Sequence, residues 1–189
     1  MKKEEIEQFY PKNQAEWRLW LQKNHKTKQA VWLVFYKKSS PKPTISWSDA
    51  VDEALCFGWI DSKKVSIDEE KSHQFFSKRK AKSTWSKINK EKIERLIEQG
   101  LMTQAGLDPI ETAKLNGSWT ILNEIDELRI PQELELALLA QPTLMEQFLS
   151  LSKSIRKLLL YKLMVAKRPE TRHKRIAAII EISEKQKPK

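Results

Sequence analysis

Side chains able to recognise a ligand by chemistry rather than by packing gather in one stretch of this 189-residue chain. Trp59 and Asp61 lie in Phe57-Gly58-Trp59-Ile60-Asp61, and Phe75, Arg79, Lys82, Ser83, Trp85, Ser86 and Asn89 follow before residue 90. Aromatic rings beside Arg and Lys can stack a planar group and neutralise a phosphate or another anion, so these nine residues are read as a pocket for an anionic small molecule or polyanion. The rival reading is packing: Trp59, Phe75 and Trp85 fill a core, the lysines are solvated around them, and Asp61 pairs with Arg79 across a hairpin.

A second patch lies at Lys167, Arg168, Thr171, Arg172 and Arg175, around a helix opened by Pro169. Arg172 and Arg175 are three residues apart on one helical face, and with their neighbours they could contact the phosphates of nucleic acid. A solvated face of an amphipathic helix explains the same charges without a ligand.

Other chemistries have little support. The single cysteine, Cys56, allows no internal disulfide and sits at an apolar helix end without a neighbouring charge, which reads as core. His25, His73 and His173 lack ligand spacing, so no metal is expected; His25 and His173 read as solvated and His73 as the start of a strand. There is no Gly-x-Ser-x-Gly, Walker or Gly-x-Gly-x-x-Gly motif, and four glycines leave little room for a phosphate-cradling loop. No cofactor and no catalytic residue is expected. An enzyme using Asp61 as acid or base and Arg79 as anion clamp is the least supported alternative, for want of a nucleophile.

The net charge of +10 favours anionic partners, and its distribution is uneven. Residues 71–92 hold eight Lys or Arg to one acid and residues 153–175 nine to one, whereas residues 93–152 hold ten acids to three bases. Two basic segments flanking an acidic one suggest either nucleic-acid binding or acidic helices packed beside basic ones.

The elements that must position these groups are legible from pattern. Asn13 and Glu16 form a capping box before Trp17, Trp20 and Leu21 at helical spacing. The apolar run at 30–36 reads as a central strand covered on both faces. Ser46 and Asp49 cap a second helix carrying Ala50, Val51, Ala54 and Leu55, and Gly58 closes it. Residues 59–67 and 73–79 read as a hairpin, giving a sheet of about three strands that needs helices on its face. Beyond Trp85 the pattern is helical: a stripe of Ile88, Ile93, Leu96 and Ile97, a helix over 105–116, helices starting near Pro131 and Pro142, a stripe of Ile155, Leu158, Leu159 and Leu163, and a last helix from Pro169 with Ile176, Ile179 and Ile180 inward. Residues 118–130 read as a linker and residues 185–189 as a frayed tail. The expected class is α+β, predominantly helical: a small antiparallel sheet packed with helices over residues 1–117, then a helical bundle over 118–189.

Four stretches taken together resemble a known family: Val31 to Lys38, Ala54 to Ser62, Lys82 to Asn89 and Ala166 to Arg172. In order and spacing they look like the YdeI/OmpD-associated, or bacteriocin-protection, family, over residues 13–182. That resemblance implies a cytoplasmic binding or stress-tolerance protein linked to antimicrobial-peptide tolerance and, by the family's name, to association with an outer-membrane porin. The family motifs fall on Trp59, Asp61, Arg79, Ser83, Trp85, Ser86, Asn89, Lys167, Arg168, Thr171, Arg172 and Arg175. At 77–79 the chain has Ser-Lys-Arg where the family usually has a proline and an arginine. No apolar run spans a bilayer and the first residues lack the apolar centre of a secretory signal, so the expected compartment is the cytoplasm, without a membrane span.

Overall fold

The apolar run at 30–36, buried at Val31 and from Leu33 to Phe35, is paired along both edges as an inner strand, and the first half of the chain is built around it. The computed structural model describes residues 6–186. It divides into two compact units, Met1–Asn116 and Gly117–Lys189. In the first, chain order is β1 (Gln8–Phe9), α1 (Gln14–Asn24), β2 (Ala30–Tyr36), α2 (Trp47–Cys56), β3 (Trp59–Ser66), β4 (Lys71–Lys78), α3 (Lys87–Glu98) and α4 (Gln104–Leu115). The sheet order is β1-β2-β4-β3, with β1 parallel to β2 and the other pairs antiparallel. The expected three strands are thus four. The extra one has two residues, too short to show a period in the sequence.

Capping explains where the helices begin. The Asn13 side chain accepts from the Glu16 amide at 3.0 Å, and Glu16 accepts from the Lys12 amide at 2.9 Å. Ser46 and Ser86 cap α2 and α3 in the same way, accepting from the Asp49 and Asn89 amides.

The sheet has two unlike faces. Val31 and Leu33 of β2, Phe76 of β4 and Trp59 of β3 are fully buried. Trp17 and Trp20 of α1 cover them, with ring centroids 5.5 Å from Phe76 and 5.7 Å from Trp59. Burying each such ring contributes about 1.5–3 kcal/mol. Alternate residues point the other way. Trp32, Phe75 and Ile60 therefore lie on the opposite face, where they are only partly buried.

The second unit contains α5 (Ile121–Asp126), α6 (Gln132–Leu139), α7 (Leu144–Ser150), α8 (Lys153–Met164) and α9 (Pro169–Glu184). Leu134, Leu138, Leu144, Phe148, Leu160, Leu163 and Ile179 form its core. Helix α5 falls where a linker was expected; Ile125 is buried in that core. Two expected stripes are only half inward. Ile93 and Leu96 are buried while Ile88 and Ile97 are exposed, and Leu159 and Leu163 are buried while Ile155 and Leu158 are exposed. The end of the expected frayed tail, 187–189, lies outside the described residues.

Candidate functional site

Two glycines bring α4 against the junction of α2 and β3. At Gly58, φ is +72° and an added Cβ would stand 2.3 Å from the Ala105 carbonyl oxygen; at Gly106 it would stand 2.4 Å from that of Cys56. Only glycine permits both approaches. Thr103 holds the same junction, its amide and hydroxyl both donating to the Cys56 carbonyl, at 3.1 and 2.6 Å.

Beside this junction lies a cleft of about 420 Å³, lined by His25, Lys26, Phe57, Gly58, Lys78, Arg79, Ala105, Asp108 and Pro109. Its charge is mostly positive. The Lys78 ammonium donates to the Lys26 carbonyl at 2.9 Å, the His25 ring packs 5.3 Å from Phe57, and the lining carboxylate, Asp108, accepts from Gln104 at 2.7 Å.

Arg79 is the unusual member. Its guanidinium lies 3.5 Å from the centroid of the Trp85 ring, and Nη2 donates to the Thr84 carbonyl at 2.7 Å. Nε and Nη1 are buried with no acceptor among the described residues. Burial pushes its pKa down to about 10, and the charge of Asp61 opposes that shift without cancelling it. A desolvated cation with unanswered donors is costly unless something completes it.

The nine residues expected to form one pocket are separated by the structure. Trp59 is fully buried against Trp20, so no ligand can stack on it, and its indole N–H is buried without an acceptor among the described residues. Asp61 forms no ion pair with Arg79; its carboxylate accepts from the Trp47 indole at 3.0 Å and the Gln74 amide at 3.3 Å. Phe75 is on the opposite face of the sheet. Trp85 is buried beneath Arg79, Ser86 and Asn89 form the α3 cap, Ser83 donates its amide to the Lys80 carbonyl in a turn, and Lys82 is exposed. Of the nine, Arg79 alone lines the cleft. His25, read as solvated, and Lys26 line it too; nothing local in the sequence marks them, because the cleft arises from segments far apart in the chain.

The second patch lies in the second unit. Lys167, Arg168 and Arg175 are exposed and Thr171 is partly buried. Arg172 is engaged internally: Nη1 donates to the carbonyls of Leu163 and Ala166 at 3.2 and 3.1 Å, and Nη2 pairs with Glu133. Its guanidinium ties α6, α8 and α9 together rather than reaching outward for phosphate. Elsewhere Cys56 is buried and its thiol is pushed up to about 11 by desolvation. Among the described residues no group of three or more His, Cys, Asp or Glu is placed to hold a metal ion, and no helix is long and apolar enough to cross a membrane.

Residues 9–109, more than half of the chain, match the family model described as a domain of unknown function, DUF8412. The chain belongs to this family. Residues 127–186 match a second model, described as bacteriocin-protection, YdeI or OmpD-associated. The resemblance seen in the sequence is therefore shown over the OmdA region, while the Trp59 to Asn89 motifs fall in the DUF8412 domain. No curated protein and no solved structure matches the chain.

Proposed function

We propose that the DUF8412 domain binds a small anion, of the phosphate or carboxylate class, in the cleft beside Gly58, and that the chain acts by binding. The observation that carries this reading is Arg79: a guanidinium on the cleft wall, desolvated, with two buried donor atoms unanswered and no carboxylate paired to it among the described residues. Lys26 and Lys78 add charge. Ala105, in the first turn of α4, brings the positive end of that helix to the cleft, which favours an anion further. An anion there offsets by its charge the desolvation of the Arg79 guanidinium, whose Nε and Nη1 lie beneath the cleft surface.

A thermal-shift titration with phosphate, sulfate, citrate and mononucleotides at low ionic strength tests this. Binding to the folded state raises the melting temperature with the logarithm of ligand concentration. The expected result is stabilisation by at least one anion, lost in Arg79→Met and weakened in Lys26→Ala. No response to any of them, or a response that Arg79→Met leaves unchanged, sinks the proposal.

A further inference from the structure

The face of the sheet turned away from α1 and α2 is lined with rings. Trp32 of β2 and Phe75 of β4 are direct cross-strand partners, with centroids 4.9 Å apart and planes at 69°. His73, two residues along β4, lies 6.4 Å from Trp32, and Tyr36 closes the row on β2 with Lys42 over its ring at 4.6 Å. Trp32, Tyr36 and Phe75 are partly exposed. A sheet with helices on one face usually turns polar side chains to water on the other, so a row of partly exposed rings on the two inner strands, with His73 and Val34 buried among them, is unusual.

The charge around that row is positive. Residues 28–44 and 59–82, the three long strands with their flanking segments, carry eleven Lys or Arg and four acids; Lys78 and Arg79 line the anion cleft and Lys64, opposite Gln74 in register, belongs to the helix-covered face, which leaves eight bases. Of those acids, Asp61 is bonded to Trp47 and Gln74 on the helix-covered face, and Asp68, Glu69 and Glu70 sit together at the hairpin tip. Lys63 lies on the outer strand β3, while Lys37 and Lys38 follow β2; all three are exposed.

We propose that this face binds single-stranded nucleic acid, unpaired bases stacking on Trp32 and Phe75 while the surrounding lysines meet the phosphates. Every base has a flat face to offer an aromatic ring, and a strand with unpaired bases is the polyanion that rings inside a basic rim can distinguish from a duplex. A second copy of the chain fits less well, because two rims with this excess of lysine repel each other. The inference stands apart from the anion cleft, since neither Trp32 nor Phe75 lines it.

Fluorescence polarisation of labelled oligo(dT), oligo(rU) and a mixed-sequence duplex with the full chain, over a salt series, tests it. Phe75→Leu and Trp32→Leu keep an apolar side chain but remove the ring, and Phe75→Tyr keeps the ring; circular dichroism confirms that each variant is folded. The expected result is single-strand binding that weakens with salt and is reduced about fivefold or more by each leucine variant, with Phe75→Tyr close to the parent. The inference is overturned by any of three results: no single-strand binding at low salt, affinity unchanged in both folded leucine variants, or equal affinity for the duplex. A dimer that Phe75→Leu dissociates, and that oligonucleotides do not compete with, also overturns it and assigns the face to a second copy.

Discussion

Arg79→Met separates a residue kept for its ligand from one kept for the fold. Burial pushes the guanidinium down from its ordinary range to about 10, so holding it charged in the folded state at neutral pH costs on the order of 3 kcal/mol. The sign follows from the lowered value: the unfolded chain holds the proton more tightly, so the cost is present in full below pH 10 and fades above it. Opposing it are the hydrogen bond to the Thr84 carbonyl, about 1.5–3 kcal/mol for a charged donor, and the stacking on Trp85, about 0.5–2 kcal/mol. These nearly balance, so Arg79→Met is expected to stay within about 2 kcal/mol of the parent. Arg18 is the control, because it is fully answered: it pairs with the buried Glu53 at 2.7 Å and donates to the Leu101 carbonyl at 2.9 Å. Removing it leaves the buried Glu53 carboxylate with the Gln14 amide but without its cation, and is expected to cost about 3–5 kcal/mol. Urea unfolding followed by tryptophan fluorescence reads both variants, since six of the seven tryptophans belong to the first unit. If Arg79→Met falls as far as Arg18→Met, the guanidinium is a structural group and the argument for an anion in the cleft fails.

Gly106→Ala should lose about 3 kcal/mol in the same assay, because the new Cβ meets backbone that cannot yield, and the helix propensity it gains is smaller than that. In the second unit, Arg172→Ala should cost about 2–3 kcal/mol by freeing two carbonyls and Glu133, whereas Arg175→Ala, on an exposed side chain, should change stability by less than about 0.5 kcal/mol; helical circular dichroism during thermal unfolding compares them. Cys56 should resist alkylation at pH 8 in the folded protein and react once it is unfolded. Its raised pKa means that the unfolded chain loses the thiol proton first, so stability attributable to this group falls as pH rises from about 9 to about 11; a pH series of urea midpoints, with Cys56→Ala beside it, reads the slope.

The parts of the fold legible in the sequence were those set by neighbours in the chain. Asn13 and Ser46 cap the helices they were expected to cap, and the apolar run at 30–36 is an inner strand. The site was less legible for two physical reasons. Phe75 and Phe76 are adjacent in a strand and must face opposite sides, so a cluster that counted rings by nearness in sequence mixed the two faces. The cleft, in turn, is made by the approach of α4 to Gly58, a contact between segments more than forty residues apart that leaves no local pattern. The half-inward stripes have a related cause. Periodicity shows that Ile88 and Ile155 share an arc with buried residues but not how wide the covered part of that arc is.

Apolarity does not decide which phenylalanine of β4 faces outward, because sliding the strand by one residue would exchange two equal rings. The decision rests on a polar group. In the observed register Gln74 is buried and donates to Asp61 at 3.3 Å and to the Ser62 carbonyl at 3.2 Å, across an irregularity in β3 between Asp61 and Lys64. At the turn, Asp68 accepts from the Glu70 and Lys71 amides, both at 2.9 Å, fixing the hairpin's length. A one-residue slip would break the Gln74 bonds, carry His73 into the helix-covered core and leave Asp61 without its amide partner. A few polar contacts therefore choose between two registers that packing alone rates almost equally. In this fold Asp61 favours through Gln74 the register in which Phe75 rather than Phe76 stands beside Trp32, on the face turned away from α1.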